Sequence, residues 1–145
     1  MNASSSAAVT ATRACAPMRA VLVIEDSALI RERLVELVHS CEGFHVTAQA
    51  DTEAGALAAL REQAFDAVVV DLQLREGSGF GVLQALQRLQ PRPLTLVLTN
   101  TATRAARLRC AALGAEHFFD KSYEFDHVAL ALEALRGQGP PHKTP

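Results

Sequence analysis

The sequence predicts an α/β fold: a doubly wound, five-stranded parallel sheet in the order 2-1-3-4-5 with helices on both faces. Apolar runs alternate with helical periodicities along the chain, which calls for parallel strands joined by right-handed crossovers. Three of the runs are nearly continuous and rich in β-branched residues, as strands covered on both faces must be, and they belong at the centre. Another alternates apolar with polar residues and suits a strand with one less protected face. Placing that second strand at an edge gives the order 2-1-3-4-5. Strands one and three are then neighbours where the winding reverses, and a crevice opens at their carboxyl ends.

Residues 20–24 (AVLVI) form the first strand. Ser27 then caps a helix whose stripe is Ile30, Leu34, Leu37, Val38 and Cys41, with Gly43 marking its end. Residues 44–49 (FHVTAQ) are the alternating second strand, and Leu57, Leu60 and Ala64 give the inward stripe of a helix after Thr52. Residues 67–70 (AVVV) are the third strand; Val82, Leu83, Leu86 and Leu89 follow on a helix stopped by Pro91-Arg92-Pro93. Residues 94–98 (LTLVL) are the fourth. The fourth helix carries Ala105, Leu108 and Ala112 as its predicted core face and stops at Gly114. His117, Phe118 and Phe119 make a short strand at the opposite edge, and Phe125, Val128, Leu132 and Leu135 stripe the last helix.

A chain of 145 residues, 49% of them hydrophobic, suits one domain with a single core. The expected folded unit is residues 18–136. Residues 1–17, rich in Ala, Ser and Thr, read as a disordered extension, with Met18 an alternative start; residues 137–145 (GQGPPHKTP) read as a flexible tail. A formal charge of −2 supplies no basic face for a duplex, so direct nucleic-acid binding is not expected. No run reaches the roughly 18 apolar residues of a membrane span. Arg13 interrupts the only mildly apolar part of the head, so no secretory signal is predicted either. Cys15, Cys41 and Cys110 are widely spaced and read as reduced thiols, which with the missing signal predicts a cytoplasmic protein. The histidines are scattered and form no metal-ligand spacing.

The chemistry is concentrated at the strand ends. Glu25 and Asp26 follow the first strand, Asp71 the third, Thr99 the fourth and Lys121 the fifth, so a parallel sheet brings them together. Alone, Asp71 reads equally as a cap for loop amides. Clustered with Glu25 and Asp26 it reads as part of a cation site, because neighbouring carboxylates repel unless a cation offsets them. Thr99 is also consistent with an ordinary strand-end threonine and Lys121 with a solvated lysine. Asp51, Glu53 and Glu76 read as solvated or capping.

On these residues the chain from Arg19 to about Arg136 resembles the receiver domain of two-component response regulators, the flavodoxin-like family of the chemotaxis regulator CheY. The motifs are Val23-Ile24-Glu25-Asp26-Ser27, Val68-Val69-Val70-Asp71-Leu72-Gln73-Leu74 followed by Gly77-Ser78-Gly79, Leu96-Val97-Leu98-Thr99, and Phe118-Phe119-Asp120-Lys121-Ser122. The resemblance implies that Asp71 accepts a phosphoryl group from a histidine kinase or phosphotransfer protein. It implies Mg2+ held by Asp26, Asp71 and the backbone carbonyl of Gln73, with Glu25 acting through a water. Lys121 and the Thr99 hydroxyl would each hold a phosphoryl oxygen. Thr99 and Phe118 would form the switch, reshaping the face of the fourth helix, fifth strand and fifth helix for an unidentified target or a homodimer. The start of the first helix, near Leu29, Ile30 and Arg33, is the implied kinase-docking surface.

The chain departs from the family pattern at three places. Arg75 stands where the acceptor loop commonly has Pro. Ser122 replaces a Pro whose peptide bond is often cis; a cis Lys121–Ser122 bond would cost about 2.5–4 kcal/mol. Asn100 replaces a small residue beside Thr99, and with Gln73 it is expected to set the lifetime of the aspartyl phosphate. The predicted function is a stand-alone response regulator with no activity beyond self-phosphorylation and self-dephosphorylation. The alternatives are a phosphorylation-independent pseudo-receiver and the receiver fragment of a DNA-binding regulator. A haloacid-dehalogenase-type phosphatase would want a second acid where Gln73 stands.

Overall fold

The apolar run after Met18 forms β1 (Arg19–Ile24), the first element of the computed structural model, which describes residues 18–138. The expectations for residues 1–17 and 139–145 lie outside the described residues. There follow α1 (Ala28–His39), β2 (Phe44–Ala50), α2 (Glu53–Glu62), β3 (Ala67–Val70), α3 (Gly79–Leu86), β4 (Leu94–Thr99), α4 (Arg104–Ala112), β5 (His117–Asp120) and α5 (His127–Arg136). The five strands form one parallel sheet in the order β2-β1-β3-β4-β5, with the alternating strand β2 at an edge as its pattern required.

Because successive strand residues point to opposite faces, the sheet divides its side chains between two cores. Leu22, Ile24, Val68, Val70 and Val97 pack under α2, α3 and α4, against Ala56, the Val82, Leu83 and Leu86 stripe, and Ala106 with Cys110. Val21, Val23, Val69, Leu96 and Leu98 pack on the other side against Leu34 and Val38 of α1 and Val128 and Leu132 of α5. Each large apolar side chain so buried contributes about 1.5–3 kcal/mol. The helix starts are fixed locally: Ser27, Thr52, Ser78 and Thr103 accept from the amides of Ile30, Gly55, Phe80 and Ala106. Cys41 and Cys110 are buried and unpaired, and burial pushes both thiols up. Among the described residues no helix is long and apolar enough to cross a membrane.

Two predicted helix faces are corrected. On α4 the buried residues are Ala106 and Cys110, continued by the partly buried Leu113, while Ala105, Leu108 and Ala112 face solvent and Leu108 is 60% exposed. Both triplets carry helical spacing, so the pattern was degenerate and the larger Leu misled. At about 100° per residue, Arg107 and Arg109 flank the buried stripe and lay their guanidinium groups over the rings of Phe118 (4.6 Å) and Phe80 (3.9 Å). On α2 the residue fully buried is Ala56, with Ala59 and Leu60 beside it; Ala64 lies past the helix end and is exposed. Gly43, predicted as the end of the first helix, instead takes a positive φ of 89° just before β2, three residues beyond the Ser40 cap. The one cis peptide bond among the described residues is Gln90–Pro91, so Lys121–Ser122 is trans.

Candidate functional site

The ladder delivers the functional residues to one end of the sheet. Ile24 pairs with Val70, Val70 with Val97, and Thr99 with Asp120. Just beyond, the Asp71 amide donates to the Ile24 carbonyl at 3.0 Å and the Lys121 amide to the Thr99 carbonyl at 2.9 Å. Residues far apart in sequence thus start from adjacent backbone positions, as parallel pairing dictates.

At the centre, the Lys121 Nζ donates to Glu25 Oε1 at 2.8 Å and to Asp71 Oδ2 at 2.9 Å. The remaining oxygens are also engaged: the Ser27 amide donates to Glu25 Oε2 at 2.9 Å, and the Gln73 amide to Asp71 Oδ1 at 3.2 Å. Glu25 is 1% exposed and Asp71 5%, whereas Asp26 is exposed and its carboxylate receives no hydrogen bond from the described residues. Glu25, Asp26 and Asp71 each offer one oxygen, and these lie within 4.8 Å of one another. Burial pushes the Glu25 carboxyl up, against the opposing pull of Lys121 and the Ser27 amide. Burial works to lower the Lys121 pKa, but the hydrogen bonds it donates to Glu25 and Asp71, with their negative charges, outweigh it and hold the ammonium above its ordinary value.

Three carboxylates therefore face one ammonium, and the charge left over lies at the open mouth of a cleft of about 450 Å³. Hard oxygen donors, an unengaged carboxylate and room for waters suit Mg2+, which keeps several waters of its own. Asn100, Gln73 and Ser122 line the same cleft. Thr99 sits beneath it, 0% exposed, with its Oγ1 accepting from the Thr101 amide at 3.1 Å. Phe118 is not part of the cleft: it packs partly buried against the core under α2–α4, with Arg107 over its ring.

Three further side chains support the site: Arg31, which was not singled out from the sequence, Arg75, noted only as a departure from the family pattern, and Glu53, read as solvated or capping. The Arg31 Nη1 donates to the Glu25 carbonyl at 2.7 Å, and its Nε to Gln49 Oε1 at 3.2 Å. Arg75, in place of the common Pro, pairs with Asp51 at 2.9 Å. Glu53 caps across sequence: its Oε1 accepts from the Ser78 amide at 2.9 Å, and its side chain fills the space where a Cβ on Gly77 or Gly81 would lie. The Glu53 amide also donates to the Glu76 carbonyl at 3.0 Å, so the loop after Asp71 is tied to the start of α2. These pairings join positions 6 to 25 residues apart with no local pattern to announce them.

The chain is similar in sequence and in fold to known proteins. Residues 21–133 match the family model for the response regulator receiver domain. The chain is 40% identical over 99 residues to protein-glutamate methylesterase/protein-glutamine glutaminase 6 of Anaeromyxobacter dehalogenans, covering 68% of this chain and 28% of that protein. It is 32% identical over 115 residues to the probable transcriptional regulatory protein TcrX of Mycobacterium tuberculosis, covering 79% and 48%. The chain thus spans less than half the length of these two relatives. In fold it is similar to the crystal structure of a LuxR-family two-component response regulator from Aurantimonas sp. SI85-9A1, with a TM-score of 0.75 at 24% identity over 85% of this chain and 88% of that one. With the family match spanning most of the described residues, and the acids and the lysine gathered where parallel strands end, the chain belongs to the response regulator receiver domains, a family of signalling domains.

Proposed function

We propose that this chain is a Mg2+-dependent phosphoacceptor that takes a phosphoryl group onto Asp71 from a histidine kinase or phosphotransfer protein. The observation that carries this reading is Lys121 bridging Glu25 and Asp71 beside an unengaged Asp26. Asp26, Asp71 and the Gln73 carbonyl would hold the metal, with Glu25 acting through a water. Bound there, Mg2+ supplies positive charge to offset that of the phosphoryl oxygens. An Asp71 carboxylate oxygen attacks phosphorus, the bond to the donor's imidazole nitrogen breaks, and the imidazole leaves with the bonding pair and takes up a proton. The Lys121 ammonium, already beside Asp71, passes to a phosphoryl oxygen; the buried Thr99 hydroxyl donates to another.

Those last two contacts give phosphorylation its readout. Thr99 moves towards the phosphoryl group, Phe118 repacks, and the face of α4, β5 and α5 changes shape for a downstream protein or a second copy. Gln73 and Asn100, which line the cleft, set how readily water reaches the aspartyl phosphate. Unchanged decay rates in Asn100→Ala and Gln73→Ala would remove that role.

The test is incubation with acetyl phosphate, with and without Mg2+, followed by intact-mass analysis of wild type and Asp71→Asn. A single phosphoryl adduct that needs both Mg2+ and Asp71 is expected. An adduct that survives Asp71→Asn would overturn the assignment; no adduct from acetyl phosphate or from a panel of phosphorylated histidine kinases would favour a phosphorylation-independent binding module. The chain acts either alone or joined to an output domain, and the greater length of its relatives favours the second. An immunoblot of native extract separates the two: a band near 15.5 kDa or a larger one.

A further inference from the structure

We infer that Arg31 is a positioning residue that sets the metal affinity of this site by holding the peptide between Glu25 and Asp26; the inference rests on the Mg2+ reading above. Of the three carboxylates, Glu25 and Asp71 are each held directly, by Lys121 and by a loop amide. Asp26 receives no such bond, so its aim depends on the backbone from which it springs. That backbone leaves the sheet at the point where it needs an outside partner. The Glu25 amide still donates to the Ala50 carbonyl of β2 at 2.9 Å. Its carbonyl, one residue past the end of β1, is taken by Arg31 instead, at 2.7 Å.

Arg31 itself is fixed twice. Its amide donates to the Ser27 carbonyl at 2.8 Å, closing the first turn of α1, and its Nε is anchored on Gln49 of β2 at 3.2 Å. The planar guanidinium thus joins helix, edge strand and acidic loop with a geometry that a lysine ammonium does not reproduce. Mg2+ demands near-ideal octahedral geometry at short distance. An Asp26 whose supporting peptide is free to rotate presents its oxygen in that position less of the time. The charge of Arg31 acts in the opposite sense, since a cation near the site repels another.

That opposition gives the test. Mg2+ binding to the full chain is measured by isothermal titration calorimetry for wild type, Asp26→Asn, Arg31→Lys, Arg31→Gln and Gln49→Ala, with melting in EDTA as the check on folding. Positioning predicts about tenfold weaker Mg2+ binding in both Arg31 variants, in the range for residues that orient metal ligands. A smaller weakening is expected for Gln49→Ala, which disturbs only the anchor. Acetyl phosphate labelling should then be slow at low Mg2+ and return to the wild-type rate at saturating Mg2+. A purely structural role would lower the melting temperature and leave the Mg2+ affinity alone, which overturns the inference. Wild-type affinity in Arg31→Lys with tighter binding in Arg31→Gln would show that only charge matters, and overturns it too. If wild type binds no Mg2+, the metal reading falls and takes this inference with it; if wild type binds, Asp26→Asn does not and the Arg31 variants bind normally, the inference alone fails.

Discussion

Helices α3 and α4 lie on the same side of the sheet and are held to it in different ways. α3 buries Val82, Leu83 and Leu86, three large apolar side chains. α4 buries Ala106 and Cys110, a methyl and a thiol, and steadies its flanks with Arg107 on Phe118 and Arg109 on Phe80. By area, the first arrangement contributes several kcal/mol. Each guanidinium–ring contact contributes about 0.5–1 kcal/mol at an exposed site. The helix that follows the Asp71 strand is therefore the more firmly held of the two, and the helix that follows the Thr99 strand the less.

The contrast can be broken most sharply at Leu86. Leu86→Ala should lower stability by about 2–5 kcal/mol, read from the urea unfolding midpoint; a loss as small as that of an exposed α4 residue would end the distinction. Gly79→Ala should cost about 1–3 kcal/mol in the same assay, because a Cβ there would collide with the Asp71 carbonyl oxygen and must push α3 away from the loop that follows β3. The site contributes a pH dependence that belongs to neither helix. Since burial raises the Glu25 pKa, the folded state binds the proton more tightly than the unfolded chain does. Stability from this group is complete below the ordinary value of 4.5 and is lost as pH rises through the raised one. In EDTA, Glu25→Gln should flatten that decline and melt higher than wild type near neutral pH, while Leu86→Ala keeps the wild-type slope. The smallest effects fall on α4: Arg107→Ala should cost about 0.5–1 kcal/mol, and Leu108→Ala should lie within about 0.5 kcal/mol of wild type despite the size of the side chain removed.

The sheet and the acidic cluster were legible because both are written in short contiguous stretches. A β-branched run states its own strand, and the residue that ends the run states its position at the carboxyl edge, so Glu25, Asp26, Asp71, Thr99 and Lys121 needed only the strand order to be brought near one another. The face of α4 was not legible, because alanine and cysteine at helical spacing compete with alanine and leucine at helical spacing, and periodicity alone does not rank them. What decided it was the pair of rings beside the helix, supplied by Phe80 of α3 and Phe118 of β5. The partners of Arg31, Glu53 and Arg75 were illegible for a related reason. Long polar side chains reach non-local backbone and carboxylate groups, and a sequence pattern shows the side chain without its destination.

Glu53 has a consequence for inheritance. Its carboxylate holds the Ser78 amide, and its side chain lies where Gly77 and Gly81 have no Cβ. A Cβ at 81 would meet only the carboxylate end of Glu53, which can swing aside at the cost of its bond with the Ser78 amide, whereas a Cβ at 77 would meet the Glu53 Cβ on a backbone whose positive φ already favours glycine. Position 81 is therefore open to exchange against the cap that Glu53 supplies, and position 77 is closed to it.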